Sequence, residues 1–288
     1  MIDDIIKSIT TKVIGNVILI KSHSMMGDIL HHSIIVRHYR KVYPDHKILW
    51  YMSNKYLEAF KYYPYASEIV GLPEKLTLND RQILYSRLYN ILGDKLISGC
   101  VGVRGWNGPG SIADNFFLNA KIKKLAVPRR PVLPLGPEDH EWAKAFRKQH
   151  GLKNFACMEY NSFSFERKIK GGIWPLEYYE EFLERAKFPI VWLAHQDAPT
   201  FKNGIDGRQS SWRQAAALIK TANLFIGCGS GLTMVAATEG IDTPIMEVNI
   251  GSTITMRGCK YKNSFDLHKQ TPKTLAEEAV RKIGYRNQ

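Results

Sequence analysis

The chain has 288 residues, which is enough for one large or two medium domains with a hydrophobic core. Its apolar content of 44% and charged content of 23% are those of an ordinary soluble globular protein. The apolar runs are too short to cross a membrane, and no signal-peptide pattern opens the chain. The four cysteines are widely spaced without a CxxC pair, so they indicate neither a zinc site nor a disulfide framework. The cysteine pattern suits a reducing compartment, so we expect a cytoplasmic protein.

Basic side chains outnumber acidic ones, with 40 Lys and Arg against 27 Asp and Glu, for a formal net charge of +13. Residues 1–150 contain 22 basic and 13 acidic side chains, whereas residues 151–288 contain 18 and 14. An excess concentrated in one half predicts an anionic partner for that half: nucleic acid, a membrane surface or an acidic glycolipid. Charge that serves solubility alone is the alternative.

The first hundred residues alternate between strand and helix patterns. Apolar runs predict strands over 13–21, 47–52, 66–72 and 96–103. Helical patterns lie between them, over 29–39, 54–62 and 80–92. Strands that alternate with helices at this spacing are typical of a parallel α/β sheet.

Residues 104–136 interrupt this alternation. Their pattern predicts a loop over 104–110, a short helix over 112–119 and a basic stretch over 121–130. The segment 127–137 has four prolines in eleven residues, so it cannot lie inside a helix or a central strand. We interpret it as an interdomain linker, which gives an N-terminal domain of residues 1–136 and a C-terminal domain of residues 137–288.

A second alternation follows the linker. It predicts helices over 138–150, 176–187, 212–221 and 273–283, with strands over 155–161, 190–195, 224–226 and 245–248. The fold class is therefore α/β, with two Rossmann-like domains that face each other across a cleft. Ligands of open α/β sheets bind at the carboxyl ends of the strands, so we expect the site there.

A glycine-rich turn follows the strand 224–226. Gly227, Gly229 and Gly231 bracket Cys228 and Ser230 ahead of a short helix. Backbone N–H groups at such a helix start attract an anion such as a diphosphate, although glycines that only permit close strand–helix packing give the same pattern. The candidate diphosphate-binding residues of the turn are Gly229, Ser230, Gly231, Leu232 and Thr233.

Three stretches of sequence form a recognisable set. They are Lys21-Ser-His-Ser-Met-Met-Gly-Asp-Ile-Leu-His31, Trp174-Pro-Leu-Glu-Tyr-Tyr179, and residues 212–237, which end in Asn223-Leu-Phe-Ile-Gly-Cys-Gly-Ser-Gly-Leu-Thr-Met-Val-Ala-Ala237. In this order they resemble the signatures of the bacterial heptosyltransferases, which are GT-B glycosyltransferases of the lipopolysaccharide core. Residues 53–136 match none of that family's motifs.

The resemblance implies an inverting glycosyltransferase, and the residue chemistry agrees. Such transfer needs a base for the acceptor hydroxyl and a clamp for the departing diphosphate. Asp28 is the candidate base, with a helix N-cap as its alternative role. Lys168 or Lys170, with Arg167 as a third candidate, lies ahead of Trp174 where the family has a phosphate-contacting lysine; a solvated basic loop is the alternative.

Glu247, at a strand end, is a candidate for hydrogen bonds to the ribose of the donor, although carboxylates are common at strand ends. Abundant Lys and Arg make a metal unnecessary for phosphate neutralisation, and the sequence has no Asp-x-Asp motif. We therefore expect no metal and no cofactor apart from a nucleotide-diphosphate sugar as co-substrate.

Two positions depart from the family pattern. Gly229 stands where the family has Asp, and Met234 stands where it has His. Because those polar side chains help to hold the donor in the family, the donor sugar can differ from heptose, and the transferred group is left open as hexosyl, pentosyl or heptosyl.

The acceptor leaves three function classes open. The first is transfer to an anionic glycan such as lipopolysaccharide core, and the second is the same chemistry on a modified base of DNA, flipped into the cleft. The third is a GT-B sugar epimerase or a non-catalytic binding protein, which the presence of Asp28 disfavours. No obligate protein partner is expected, and the run 37–43 is a candidate for peripheral membrane contact. The candidate acceptor-binding residues are Ser24, His31, Arg104, Trp106, Lys121, Lys123, Lys124, Arg129 and Arg130.

Overall fold

The computed structural model describes residues 1–11, 13, 15–22, 25–93, 96–98, 117, 120–160, 176–194, 198–249, 264–268 and 271–284. The chain divides into two compact units, Met1–Val132 and Leu133–Gln288. This division falls inside the proline-rich segment, four residues before the predicted boundary. Residues 131–136 form neither helix nor strand, as expected for a segment with a proline at every third position.

Unit 1 is built on a parallel sheet. Its described elements are α1 (Ile2–Thr10), β1 (Val17–Lys21), α2 (Met26–Val42), β2 (Lys47–Ser53), a 3-10 helix (Asn54–Phe60), β3 (Glu68–Leu72), α3 (Leu78–Leu92) and β4 (Leu96–Ser98). The strand order is β3-β2-β1-β4, and every pair is parallel. The predicted loop 104–110 lies outside the described residues, as do the rest of the strand after Ser98 and, apart from Phe117, the helix 112–119.

The apolar runs of β1 and β2 reflect burial on both faces of this sheet. Residues 17–20 and 48–52 are all buried, as expected for central parallel strands covered by helices on both sides. Val17 and Leu19 pack in one core cluster with side chains of α1 and α3. β1 starts only at Val17, later than predicted, because Gly15 has a φ of 79°, which is incompatible with an extended strand.

Unit 2 also has a parallel sheet. Its described strands are β5 (Ala156–Glu159), β6 (Ile190–Leu193), β7 (Ile205–Asp206), β8 (Leu224–Gly227), β9 (Ile245–Asn249) and β10 (Ser264–His268), in the order β10-β9-β8-β5-β6-β7. Its described helices are α4 (Pro137–Gln149), α5 (Leu176–Arg185), α6 (Trp212–Thr221), α7 (Gly231–Ala236) and α8 (Pro272–Gly284). No helix among the described residues is both long and apolar enough to cross a membrane.

A buried ion pair joins the first helix of unit 2 to α6. Arg213 donates from Nε to Asp139 Oδ2 over 3.2 Å and from a terminal nitrogen to Glu138 Oε1 over 3.1 Å. Asp139 also accepts the backbone N–H of Gly136 at 2.8 Å. Because Arg213 and Asp139 are both buried, loss of either charge would leave the other buried without a compensating charge. The pair therefore fixes where the chain enters unit 2.

Each sheet contains a point where the strand order reverses. In unit 2 the chain runs from β5 outward to β6 and β7, then returns to β8 on the other side of β5. In unit 1, β1 has β2 on one side and β4 on the other. Loops that leave the carboxyl ends of such neighbouring strands diverge and form the usual ligand crevice of an open α/β sheet. The turn before Asp28 follows β1, and the glycine turn follows β8.

Candidate functional site

The glycine turn after β8 folds closely against α7. Gly229 has a φ of 77°, a left-handed conformation that favours glycine. A Cβ on Gly227 would overlap Thr233 Oγ1 and would lie 2.6 Å from a ring carbon of Phe225. Both glycines are therefore required by the backbone path and by the close contact with α7, as the packing interpretation of this turn expects.

Ser230 starts α7 and uses its side chain as a helix cap. Its Oγ accepts the N–H of Leu232 at 3.1 Å, and its carbonyl accepts the N–H of Met234 at 3.1 Å. The predicted diphosphate-binding residues Gly229, Ser230, Gly231, Leu232 and Thr233 thus lie together in one turn at the switch point of unit 2, and their role stays a prediction.

A buried carboxylate that the sequence analysis missed lies beneath this turn. Glu159 ends β5 and is 3% exposed. Its Oε2 accepts the N–H of Cys228 at 3.3 Å and the hydroxyl of Thr233 at 3.0 Å. Thr233 Oγ1 in turn accepts the N–H of Gly229 at 3.1 Å. One carboxylate therefore anchors both the middle of the turn and the first turn of α7.

Burial raises the pKa of Glu159 to about 7, although the hydrogen bonds from Cys228 and Thr233 oppose this rise. Burial also raises the pKa of the Cys228 thiol, and the nearby Glu159 carboxylate adds to that effect. The signal for Glu159 was present in the sequence: a single carboxylate ends an otherwise apolar strand. Its significance depends on β8 being the neighbour of β5, which the sequence does not reveal.

Glu247 is a second buried carboxylate at the same edge of the sheet. It lies on β9 opposite Gly227 and is 2% exposed. β8 therefore separates the strands of Glu159 and Glu247, and both carboxylates raise the pKa of the Cys228 thiol. The predicted contact between Glu247 and the ribose of a donor stays a prediction.

Ser22, the residue that follows β1, is held in place by buried polar groups. Ser22 Oγ accepts the indole N–H of Trp50 at 2.7 Å and is hydrogen-bonded to His32 Nδ1 at 2.6 Å. The N–H of Ser22 also donates to the carbonyl of Tyr51 at 2.7 Å. All three links reach the residue that follows β1, so they hold the start of the turn that leads to Asp28.

Asp28 is the third residue of α2 and is half-buried. The N-cap of the helix is Met25, which makes no side-chain cap, so Asp28 is not the N-cap that its alternative role required. Burial raises the pKa of the Tyr56 phenol, and the Asp28 carboxylate contributes to that rise. Asp28 therefore lies near Tyr56 in the first turn of the helix, and its catalytic role stays a prediction.

The candidate acceptor residue His31 lies inside unit 1. It is 2% exposed, and burial followed by the charge of Arg129 lowers its pKa to about 3. Its imidazole is therefore neutral at physiological pH. In this conformation the ring is enclosed by protein, and its contact with an acceptor stays a prediction.

Residues 120–132, called the basic segment below, include the predicted basic stretch 121–130 and pack along α2. Tyr39 donates to the carbonyl of Ala120 at 2.8 Å, the N–H of Ala126 donates to His38 Nδ1 at 3.0 Å, and the N–H of Val132 donates to Ser33 Oγ at 2.9 Å. Three of the candidate acceptor residues are exposed on this segment, and two are half-buried. The exposed ones are Lys121, Lys123 and Lys124; the half-buried ones are Arg129, whose guanidinium lies 5.1 Å from the Phe117 ring centroid, and Arg130.

Several predicted site residues lie outside the described part of the chain, and their roles stay predictions. They are Ser24, Arg104, Trp106, Arg167, Lys168, Lys170 and Trp174. Among the residues that are described, no group of three or more His, Cys, Asp or Glu side chains is arranged to hold a metal ion.

No protein-family model matches the chain, and no curated protein matches it in sequence. Solved structures do match it. A glycosyl transferase family 9 protein from Veillonella parvula DSM 2008 is 15% identical, with a TM-score of 0.68 over 95% of this chain and 98% of that one. The E. coli ADP-heptose lipopolysaccharide heptosyltransferase II is 13% identical, with a TM-score of 0.68 over 95% and 100% of the two chains.

The chain has the GT-B fold. A third similar structure, the E. coli heptosyltransferase WaaC with ADP, is 14% identical, with a TM-score of 0.58 over 94% of this chain and 100% of that one. The predicted α/β fold class with Rossmann-like sheets is confirmed. The heptosyltransferases that the sequence motifs resemble are themselves among the similar structures.

Proposed function

We propose that the protein is a glycosyltransferase that moves a sugar from a nucleotide-diphosphate sugar to a hydroxyl group of an anionic acceptor. The observation that carries this proposal is the GT-B fold, shared along 95% of the chain with structures of glycosyl and heptosyltransferases. The position of the two predicted turns supports it, because each follows a strand at the switch point of its own sheet.

Unit 2 binds the donor in this proposal. Similar structures were solved with ADP and with ADP-2-deoxy-2-fluoro heptose, which supports a nucleoside diphosphate as the donor's common part. The turn 229–233 lies at the carboxyl end of β8, where such a group binds in open α/β sheets. Lys168 or Lys170 and Trp174 would complete this site, and Glu247 would receive the ribose hydroxyls.

Asp28 acts as the general base of an inverting displacement. It takes the proton from the acceptor hydroxyl while that oxygen forms a bond to the anomeric carbon. The bond from the anomeric carbon to the diphosphate oxygen breaks at the same time, and the diphosphate leaves with the electron pair. Lys and Arg side chains stabilise its charge without a metal ion. The rigid Ser22–Trp50–His32 network supports this role, because a base must be held at a fixed position.

The acceptor is extended and anionic. The lysines of the basic segment lie near His38 and Tyr39, and Asp28 to Tyr39 is about 16 Å along the helix axis. A molecule that reaches both places spans several sugar or nucleotide units. A lipopolysaccharide-core-like glycan with phosphate groups fits this description. DNA is the second candidate, because the same exposed lysines suit a phosphate backbone.

The test is mass spectrometry of acceptors after incubation with ADP-, UDP- and GDP-sugars. We expect a phosphorylated core glycan to gain the mass of one sugar while nucleoside diphosphate is released in equal amount. A gain on DNA with hydroxymethylated bases, without one on the glycan, would support the second candidate. An isomerised nucleotide sugar with no modified acceptor would contradict the transferase and indicate the epimerase.

A further inference from the structure

The carboxylate of Glu159 lies where the glycine turn and α7 meet. Through Oε2 it accepts the N–H of Cys228, and the Thr233 hydroxyl connects it to the N–H of Gly229. The turn is therefore built around a buried acidic group, although this turn is the proposed site for an anionic diphosphate. A nearby diphosphate disfavours the ionised form of a carboxyl in a poorly solvated environment, so it favours a proton on Glu159.

The groups around Glu159 come from each neighbouring element. α7 contributes the Thr233 hydroxyl and the N–H of Leu232, and the turn after β8 contributes the Cys228 backbone and thiol. On the other side, β6 places the apolar Leu193 opposite Glu159. Beyond β8, the buried Glu247 acts on the same thiol. In the described part of the chain, the polar groups that contact Glu159 are thus neutral hydrogen-bond donors, and Glu247 acts on the thiol next to it.

We propose that Glu159 is the positioning residue of the glycine turn and that it gains a proton when a nucleotide-diphosphate sugar binds there. This inference rests on the proposed function, because it takes the turn as the donor site. A proton on Oε1 leaves Oε2 able to accept both hydrogen bonds. The turn therefore keeps its conformation while the negative charge beside the diphosphate disappears.

The protonation state of the free protein makes this step accessible. Because the pKa of Glu159 is about 7, the carboxyl is partly protonated at neutral pH before the donor binds. The diphosphate raises this pKa further, since it disfavours the ionised form. Binding then draws protons from solution, and the affinity falls as the pH rises through the pKa of the free protein.

The test is isothermal titration calorimetry with ADP-glucose, whose diphosphate has no ionisation near neutral pH. Titrations at pH 7.5 in HEPES and in Tris, whose ionisation enthalpies differ, count the protons taken up. We expect about half a proton or more per ligand, and an affinity roughly fivefold to tenfold lower at pH 8.5 than at pH 7. This measurement uses the wild-type protein, so it does not depend on the folding of a variant.

The Glu159→Gln variant isolates the group. The amide keeps an oxygen acceptor for Cys228 and Thr233 but cannot ionise, so we expect donor binding that no longer varies with pH and takes up no proton. Glu239→Gln is the control, because it removes an exposed carboxylate just after α7; it should keep the wild-type pH profile. If Glu159 had only a structural role, the variant would bind the donor more weakly at every pH, and binding would still take up a proton.

The outcomes separate the two proposals. Binding without proton uptake, or an identical pH profile in the Glu159→Gln variant, overturns the role of Glu159 and leaves the donor site standing. Failure of ADP-glucose, UDP-glucose and GDP-mannose to bind either form overturns the donor site, and this inference with it.

Discussion

At the scale of single residues, the two candidate turns are each held by a buried polar side chain that follows or ends a strand. Ser22 links the turn after β1 to Trp50 and His32, and Glu159 links the turn after β8 to Thr233. Buried polar groups of this kind cost free energy unless they are hydrogen-bonded, and when they are satisfied they fix one conformation. We therefore expect Ser22 and the glycine turn to be rigid before a ligand arrives.

His31 provides a test of the interior of unit 1. Its pKa is about 3 in the folded protein, against 6.5 for an exposed histidine, so the unfolded chain binds more protons between these values. The contribution of His31 to the free energy of unfolding is then fully present above pH 6.5 and is lost as the pH decreases. At pH 5 this one group lowers the free energy of unfolding by about 2 kcal/mol relative to neutral pH.

We expect the His31→Asn variant to lose that part of the pH dependence, because asparagine cannot be protonated. The measurement is urea unfolding at pH 7.5 and pH 5. The control variant His46→Asn, which removes a half-exposed imidazole of the same unit, should show the wild-type difference between the two pH values. An unchanged difference in His31→Asn would contradict the assignment.

At the scale of elements, α2 connects the candidate base with the basic segment. Asp28 lies in its first turn. Residues 120–132 are held against the helix because Ser33 and His38 accept backbone N–H groups of that segment and Tyr39 donates to one of its carbonyls. The exposed lysines thereby lie along the helix that carries the proposed base, and their contact with the acceptor stays a prediction.

The lysines give a prediction on salt dependence. Replacing Lys121, Lys123 and Lys124 together by glutamine keeps much of each side chain and removes three positive charges. We expect weaker acceptor binding and, for a duplex DNA acceptor, a salt slope that is smaller by about 2 to 3. Acceptor affinity at several salt concentrations is the measurement. The control replaces three exposed lysines of unit 2 by glutamine: Lys144, Lys148 and Lys153. Equal salt slopes for the variant and this control would contradict acceptor binding by the lysines of the basic segment.

The elements were largely predictable because buried parallel strands and amphipathic helices leave strong apolar patterns. β2 and α6 occur almost where the patterns predict them. Three elements were not predicted from the sequence: the short helix α1 and the two edge strands of unit 2, β7 and β10. Edge strands bury less surface, and β7 has two residues, so their patterns are weak.

The candidate site was predictable only in part. The turns were visible as local sequence features, but the partners of Glu159 and the Trp50 partner of Ser22 come from elements that are distant in the chain. Cys228 and Thr233 are about 70 residues from Glu159, and Trp50 is 28 residues from Ser22. Only the strand order brings these residues together, and a single sequence does not contain that order explicitly.

At the scale of the whole molecule, the chain keeps the GT-B fold with 13–15% identity to the similar structures. Such conservation of fold is compatible with a changed substrate, because function depends on the site and not on the scaffold. The basic excess of the first 150 residues and the glycines of the second unit are the features on which the proposed acceptor and donor depend. We propose that these two parts of the chain perform one sugar transfer, with Asp28 as its base.

The most direct test is the transfer rate of the Asp28→Asn variant, measured by release of nucleoside diphosphate together with the acceptor's gain in mass. Asp45→Asn, which changes an exposed carboxylate just beyond α2, is the control and should keep the wild-type rate. We expect Asp28→Asn to slow transfer by about 10²- to 10⁴-fold while donor affinity stays within about twofold, because the base acts on the acceptor hydroxyl. A transfer rate near that of the wild type would contradict the account.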